Sequence, residues 1–269
     1  MDRHAAAQAH PSRWGARPVT DAPGPVEVLP DVAALAARAA ERFVTTAAEA
    51  VRTSGRFTVG LSGGRTPERL YALLATPGIA ARVDWPRVHV CWGDERCVPP
   101  TDAASNFRLA HDALLRHVPV PAANVHRIRG ELDPAAAASA YESELRELFP
   151  PTAGSSPGAR FDLLLLGLGT DGHTASLFPG LTALHERDRW VVAEYVPAVS
   201  MWRVTLTPVA INASAEVVFL VSGRDKAPAL RQVLLGPPDP VHWPAQAVTP
   251  RDGRLRWLID AAAAENLPN

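Results

Sequence analysis

The stretch FDLLLLGLGTDGHTASLFPG, residues 161–180, limits the folds open to this chain more than any other. Phe161 to Leu166 is apolar except for Asp162, too short to cross a membrane and closed by glycine. A short strand that is apolar on both faces needs cover on both faces, which points to a parallel sheet between layers of helix. Gly167, Gly169 and Gly172 then permit a tight turn where the strand leaves the sheet. Asp171 and His173 sit on that turn, and a short helical segment is expected from Thr174 until Pro179 and Gly180 stop it. Ligands of open α/β sheets bind at the carboxyl ends of the strands. An acid beside a histidine at such an edge suits an orienting group and a proton acceptor.

The same order of strand, glycine and polar residue recurs. Phe57 to Leu61 reads as a core strand, followed by Ser62-Gly63-Gly64-Arg65-Thr66-Pro67 and a helix from Glu68 to Leu74. Free N–H groups and the positive end of a helix dipole would face that loop, which suits an anion. The GK[ST] ending of a Walker loop is absent. Taken alone, the segment also fits a turn with no ligand. Val88 to Trp92 is a further strand, leading into Gly93-Asp94-Glu95-Arg96, with Ser105-Asn106 before the next helix. By themselves these charges fit a solvated turn equally well. Arg203 opens a strand to Leu206, and Val217 to Val221 leads into Ser222-Gly223-Arg224-Asp225-Lys226. Lys226, in the first turn of a helix, opposes the helix dipole unless an anion lies nearby.

Around these segments, Val26 to Leu29 reads as an edge strand and Asp31 as the cap of a helix to about Arg52. Helices are expected over 107–117, 134–149 (capped by Asp133) and Pro208 to Ala213, and strands over Val125 to Ile128, Trp190 to Tyr195 and Leu255 to Ile259. Strand and helix alternate on both sides of the loop Pro150 to Gly158, so residues 26–269 are expected to form a single α/β domain. Met1 to Pro25, rich in Ala, Pro, His and Arg, is expected to be a disordered extension.

A formal net charge of -1 gives no electrostatic case for binding nucleic acid or a membrane, so a phosphorylated ligand would need a local group of cations. The two cysteines, Cys91 and Cys97, flank a strand end and are read as reduced thiols; with no secretory signal in view, the cytoplasm is the expected setting.

Together these segments resemble the 6-phosphogluconolactonase family, relatives of the glucosamine-6-phosphate deaminase/isomerases. The resemblance covers about residues 26–260 and rests on SGGRTP, DER with SN downstream, GLGTDGHTASLFPG, RVTLTP and SGRDKA. It implies a three-layer α/β/α fold with a largely parallel, Rossmann-like sheet that holds no dinucleotide. It also implies hydrolysis of 6-phospho-D-glucono-1,5-lactone without metal or cofactor, by a monomer or small homo-oligomer whose partner is the sugar-phosphate lactone. By the same resemblance, His173 is the base and Asp171 orients it; Ser62, Gly63, Gly64, Thr66, Arg203 and Lys226 hold the phosphate; Asp94, Arg96 and Asn106 line the sugar pocket. Backbone N–H groups around Gly169 to Gly172 are a candidate oxyanion hole. The deaminase/isomerases carry a glutamate where this chain has Phe178, and an aromatic residue in place of Arg96.

Generic motifs offer rivals. Gly167 to Gly172 fits the dinucleotide fingerprint GxGxxG, but Pro179 cuts the helix that must follow, and Glu194, the nearest acid, lies mid-strand. Gly60 to Gly64 fits GxSxG, so an esterase using Ser62 is an alternative, as is a non-catalytic sugar-phosphate-binding protein. Against the esterase, Ser62 follows the first strong strand and no HGGG-type segment lies upstream. Asp171 and His173 supply only two metal ligands, and spacing suggests no third.

Overall fold

The computed structural model describes residues 24–150 and 159–268. Most of the extension expected over Met1 to Pro25, and nearly all of the loop expected over Pro150 to Gly158, lie outside the described residues.

In chain order the elements are β1 (Val26–Leu29), α1 (Val32–Ser54), β2 (Phe57–Leu61), α2 (Arg65–Leu74), α3 (Pro77–Ala80), β3 (Val88–Trp92), β4 (Asp94–Arg96), α4 (Asn106–Ala113), α5 (Pro134–Leu148), β5 (Leu163–Leu166), β6 (Val191–Val196), β7 (Met201–Leu206), α6 (Pro208–Ile211), β8 (Glu216–Val221), α7 (Ala227–Leu235) and β9 (Arg254–Asp260). Six strands form the central sheet in the order β1-β9-β8-β5-β2-β3, every adjacent pair parallel. β2, β5 and β8 are buried along their whole lengths, as the apolar runs require. The chain steps from β2 outward to β3, then returns past β2 to β5, β8 and β9. Strand order therefore reverses between β2 and β5, and the crevice at their carboxyl ends is where such sheets take ligands. Because parallel crossovers are right-handed, the reversal puts α1 and α2 on one face and α5 and α7 on the other.

A three-stranded antiparallel sheet, β4-β7-β6, stands beside the first. The chain passes between the two sheets at Gly93, whose N–H donates to Leu61 O (2.8 Å) while its carbonyl accepts from Leu206 N (2.8 Å). Asp94 to Arg96 is thus a strand rather than a solvated turn: its backbone pairs with Arg203 to Thr205. Other differences are local. The expected strand Val125 to Ile128 reduces to a single bridge between Val125 and Val90. The expected helix over 107–117 ends at Ala113 and a 3-10 turn, Leu115–His117, follows. α2 opens at Arg65, earlier than the Glu68 expected, while α6 stops at Ile211. No helix starts at Thr174; residues 174–177 close a tight turn through a Thr174–Leu177 bridge. Among the described residues no helix is long and apolar enough to cross a membrane.

Two tyrosines hold the strand ends that frame the crevice. Tyr71 of α2 accepts from Ser62 N (3.0 Å) and donates to Ser62 O (2.7 Å) just past β2. Tyr141 of α5 does the same to Trp92 N and O, each at 2.9 Å, at the end of β3. Both phenols are buried, and burial pushes each well above the ordinary tyrosine value, so they stay protonated and can donate.

Away from the crevice, the buried carboxylate of Glu216 on β8 joins Arg42 of α1 (2.6 Å) and Arg256 of β9 (2.8 Å). Glu216→Gln keeps the volume and removes the charge facing both guanidiniums. Hydrogen bonds to charged groups contribute about 1.5–3 kcal/mol each. Since both arginines reach solvent in part, a loss of about 1–3 kcal/mol in all is expected by urea titration, with the far-ultraviolet circular dichroism unchanged.

Candidate active site

Loops from three neighbouring strands of the parallel sheet meet over the crevice, beside two strands of the antiparallel sheet. β2 contributes Ser62 to Gly64; β5 contributes Gly167 to Ala175; β8 leads to Lys226; β4 and β7 close one side with Asp94, Arg96 and Arg203. A cleft of about 200 Å³ is lined by Ser62, Gly63, Gly64, Asp94, Arg96, Asn106, His173, Arg203 and Lys226 together with Gly167, Leu168, Gly169, Thr174 and Ala175. A second cleft of similar volume adjoins it at the N-terminus of α2 and is lined by Gly63, Gly64, Thr66 and Lys226. The two clefts gather every catalytic and substrate-binding side-chain candidate except Asp171, which stands directly behind His173.

His173 Nδ1 lies 2.5 Å from Asp171 Oδ1, and the same oxygen accepts the His173 backbone N–H (3.1 Å). Burial pushes the Asp171 carboxyl up, but the hydrogen bond and charge of His173 outweigh it and hold the carboxyl below its usual range. An ionised Asp171 fixes the imidazole hydrogen on Nδ1, leaving Nε2 as the basic nitrogen. Close approach explains Gly169: a Cβ there would sit 2.1 Å from His173 Nδ1 and 2.6 Å from Asp171 Oδ1. The loop's amides are partly committed. Gly169 N donates to His173 O (2.8 Å) and Gly172 N to Gly169 O (3.1 Å), so these two cannot form the expected oxyanion hole.

The opposite wall is built on Glu95, whose contribution the sequence does not reveal. Its buried carboxylate accepts from Arg96 N (2.8 Å), Asn106 N (2.7 Å), Phe107 N (2.7 Å) and Ser105 Oγ (3.0 Å). Burial pushes the Glu95 carboxyl above its usual range despite these backbone bonds. It ties β4 to the first turn of α4 and so sets Asn106, whose Nδ2 donates to Asp94 O (2.9 Å) and approaches Asp94 Oδ1 at 3.3 Å. The other Asp94 oxygen accepts from Ser176 Oγ (2.7 Å). Gly63 lies so close to Asn106 that a Cβ would meet Oδ1 at 1.8 Å.

Arg96 and Arg203 stand directly opposite each other across the β4–β7 ladder. Like charges so placed are destabilising unless something lies between them or neutralises them. Arg96 Nη1 donates to Ala104 O, and Arg203 Nη1 is 3.9 Å from Asp94 Oδ2. Burial lowers the Arg203 value, Asp94 opposes that shift and Arg96 adds to it. Glu194, opposite Arg203 on β6, has its carboxylate engaged by Thr182 Oγ1 (2.9 Å) and Ala183 N (2.6 Å). Among the described residues, the buried atoms Arg96 Nε, Arg203 Nε, Ser62 Oγ and Asn106 Oδ1 have no hydrogen-bond partner. Buried polar atoms are nearly always paired, so such a group around one cleft marks a polar ligand site. Lys226 is a loose neighbour of Asp225 (3.5 Å), on a loop held by Asp260 through Ser222 Oγ (2.5 Å) and Gly223 N (3.1 Å).

The family described as Glucosamine-6-phosphate isomerases/6-phosphogluconolactonase matches residues 30–257. This chain belongs to that family. A 6-phosphogluconolactonase of Nostoc sp. is 42% identical over 243 residues, covering 90% of this chain and 98% of its own. One from Mycobacterium tuberculosis is 40% identical over 252 residues, covering 91% and 98%. Among solved structures, the 6-phosphogluconolactonase from Trypanosoma cruzi superposes with a TM-score of 0.81 at 30% identity, covering 91% of this chain and 97% of that one. A monomeric glucosamine-6-phosphate deaminase shares the fold, with a TM-score of 0.75 at 24% identity, covering 90% of this chain and 99% of its own.

For this member of the 6-phosphogluconolactonase family the geometry also weighs against Ser62 as a nucleophile. A nucleophilic serine needs its base within hydrogen-bond reach. Ser62 Oγ has no partner among the described residues, while the one imidazole lining the cleft is paired with Asp171. Gly169→Ala tests the histidine–aspartate pair without touching either side chain. Gly169 has no positive φ, so the backbone accepts alanine, yet the new methyl displaces the imidazole. A displacement near 1 Å costs roughly a hundredfold, so kcat is expected to fall about that far while the far-ultraviolet circular dichroism is unchanged.

Proposed function

We propose that this protein hydrolyses 6-phospho-D-glucono-1,5-lactone to 6-phosphogluconate in the oxidative pentose phosphate pathway. The observation that carries the proposal is one cleft combining an imidazole backed by an ionised aspartate with unpartnered buried donors and cations. Relatives named 6-phosphogluconolactonase and aligned over nearly their whole lengths support the same reading.

Nε2 of His173 takes a proton from water as its oxygen bonds to the lactone carbonyl carbon. The tetrahedral oxyanion then collapses, the bond from that carbon to the ring oxygen breaks, and the ring oxygen takes the proton from the imidazolium. Asp171 holds the ring and stabilises its charged form. Ser62, Gly63, Gly64, Thr66, Arg203 and Lys226 hold the phosphate, using the open N-terminus of α2, which has no side-chain cap. Asp94, Arg96 and Asn106 face the sugar. Fixing the phosphate fixes the carbonyl relative to His173, so remote binding contributes to rate.

His173→Ala is expected to lower kcat by about a hundred- to ten-thousandfold, with KM changed little, in an assay corrected for spontaneous hydrolysis. Near-normal turnover by that variant would reject His173 as the base. The phosphate assignment is tested with two lactones. Arg203→Ala and Lys226→Ala should each lower kcat/KM for the phosphorylated lactone by about ten- to a hundredfold and leave unphosphorylated gluconolactone nearly unaffected. Equal losses on both substrates would show that these cations do not read the phosphate.

A further inference from the structure

We infer that Phe178 is a positioning residue for His173, a fixed aromatic surface that sets the plane of the imidazole. The inference rests on His173 acting as the base proposed above. The two rings are stacked, with centroids 4.1 Å apart and planes 23° from parallel. Phe178 is buried, whereas the His173 side chain keeps 31% of its exposure. The moving part is therefore the histidine, and the phenylalanine is the floor. Asp171 anchors one ring nitrogen by hydrogen bonding, but a hydrogen bond tolerates some tilt of the ring about Cβ–Cγ. A flat surface against the ring face removes this remaining freedom. Contact with the π-face also favours the imidazolium that forms as the base takes its proton.

The turn that delivers Phe178 is strained and pinned. Ala175 adopts φ 47, a left-handed conformation that residues with a Cβ seldom take. Ser176 holds the turn to the antiparallel sheet, its N–H donating to Thr205 Oγ1 (3.1 Å) and its hydroxyl to Asp94 Oδ2 (2.7 Å). The Thr174–Leu177 bridge then brings the chain back, so Phe178 meets the face of the histidine from which the turn departed. Such a conformation persists where the surroundings impose it, and the bonds of Ser176 do so here.

The test is a double-mutant cycle on lactone hydrolysis with Phe178→Leu, His173→Ala and the pair. Phe178→Leu is expected to lower kcat about ten- to a hundredfold, leave KM within about threefold, and have no further effect in the His173→Ala background. Phe178→Tyr, which keeps the ring face, should restore most of kcat. An unchanged kcat in Phe178→Leu, or an equal loss with and without His173, would overturn the inference. If Phe178→Leu does not fold, the wild-type protein decides by proton NMR. A His173 ring proton shifted upfield by the Phe178 ring current supports the stack, and an unshifted one overturns it. Failure of the base assignment is read separately, as normal turnover by His173→Ala alone.

Discussion

The pairing of β2 with β5 is the constraint on which the site depends. These strands are neighbours where the order of the parallel sheet reverses, so their carboxyl ends open onto the same crevice. The contact is close: a Cβ on Gly60 would meet Leu164 Cδ1 at 2.4 Å, and Gly60 pairs with Leu164 in register. A slip of one residue would turn each buried side chain to the other face of the sheet. It would also displace the loop after Leu61 relative to the loop after Leu166. The imidazole, the open end of α2 and the β8 loop are in place because that register is in place.

Polar interactions at the crevice follow a different logic from the apolar sheet. Those at Tyr71, Tyr141 and Glu95 satisfy backbone donors at element ends that burial would otherwise leave unpaired. Those at Arg96, Arg203, Ser62 and Asn106 leave buried polar atoms without partners. The first set stiffens the frame, and the second leaves binding capacity inside it. A site held this way enters binding already ordered, so little conformational entropy is lost when substrate arrives.

The legible part of the sequence was local. Apolar runs ending at a glycine or a Ser-Gly pair mark β2, β5 and β8, and short polar motifs mark the loops that follow them. The same motifs located nearly every residue that lines the cleft. Contacts between distant segments were not legible. Glu95 reads as one more charge in a polar turn, because its partners at Ser105 to Phe107 become neighbours only once β4 pairs with β7. The bonds made by Tyr71 and Tyr141 are not legible either, since nothing in a helical pattern shows where a hydroxyl ends. Thr174 to Leu177 reads as helix because its residues tolerate one. Bonds from Ser176 to Thr205 and Asp94 override that weak preference.

The passage through Gly93 bears on what sets the width of the cleft. The imidazole and the loops at Ser62 and Lys226 belong to the parallel sheet, whereas both guanidiniums belong to the antiparallel one. At β3 a single residue carries the chain from one sheet to the other, with its amide bonded to the first and its carbonyl to the second. The two walls therefore belong to different sheets, joined at Gly93 and again where Ser176 of the β5 loop bonds to Thr205 and Asp94. The spacing between base and guanidiniums is thus set by these joints rather than by the strand pairing within either sheet.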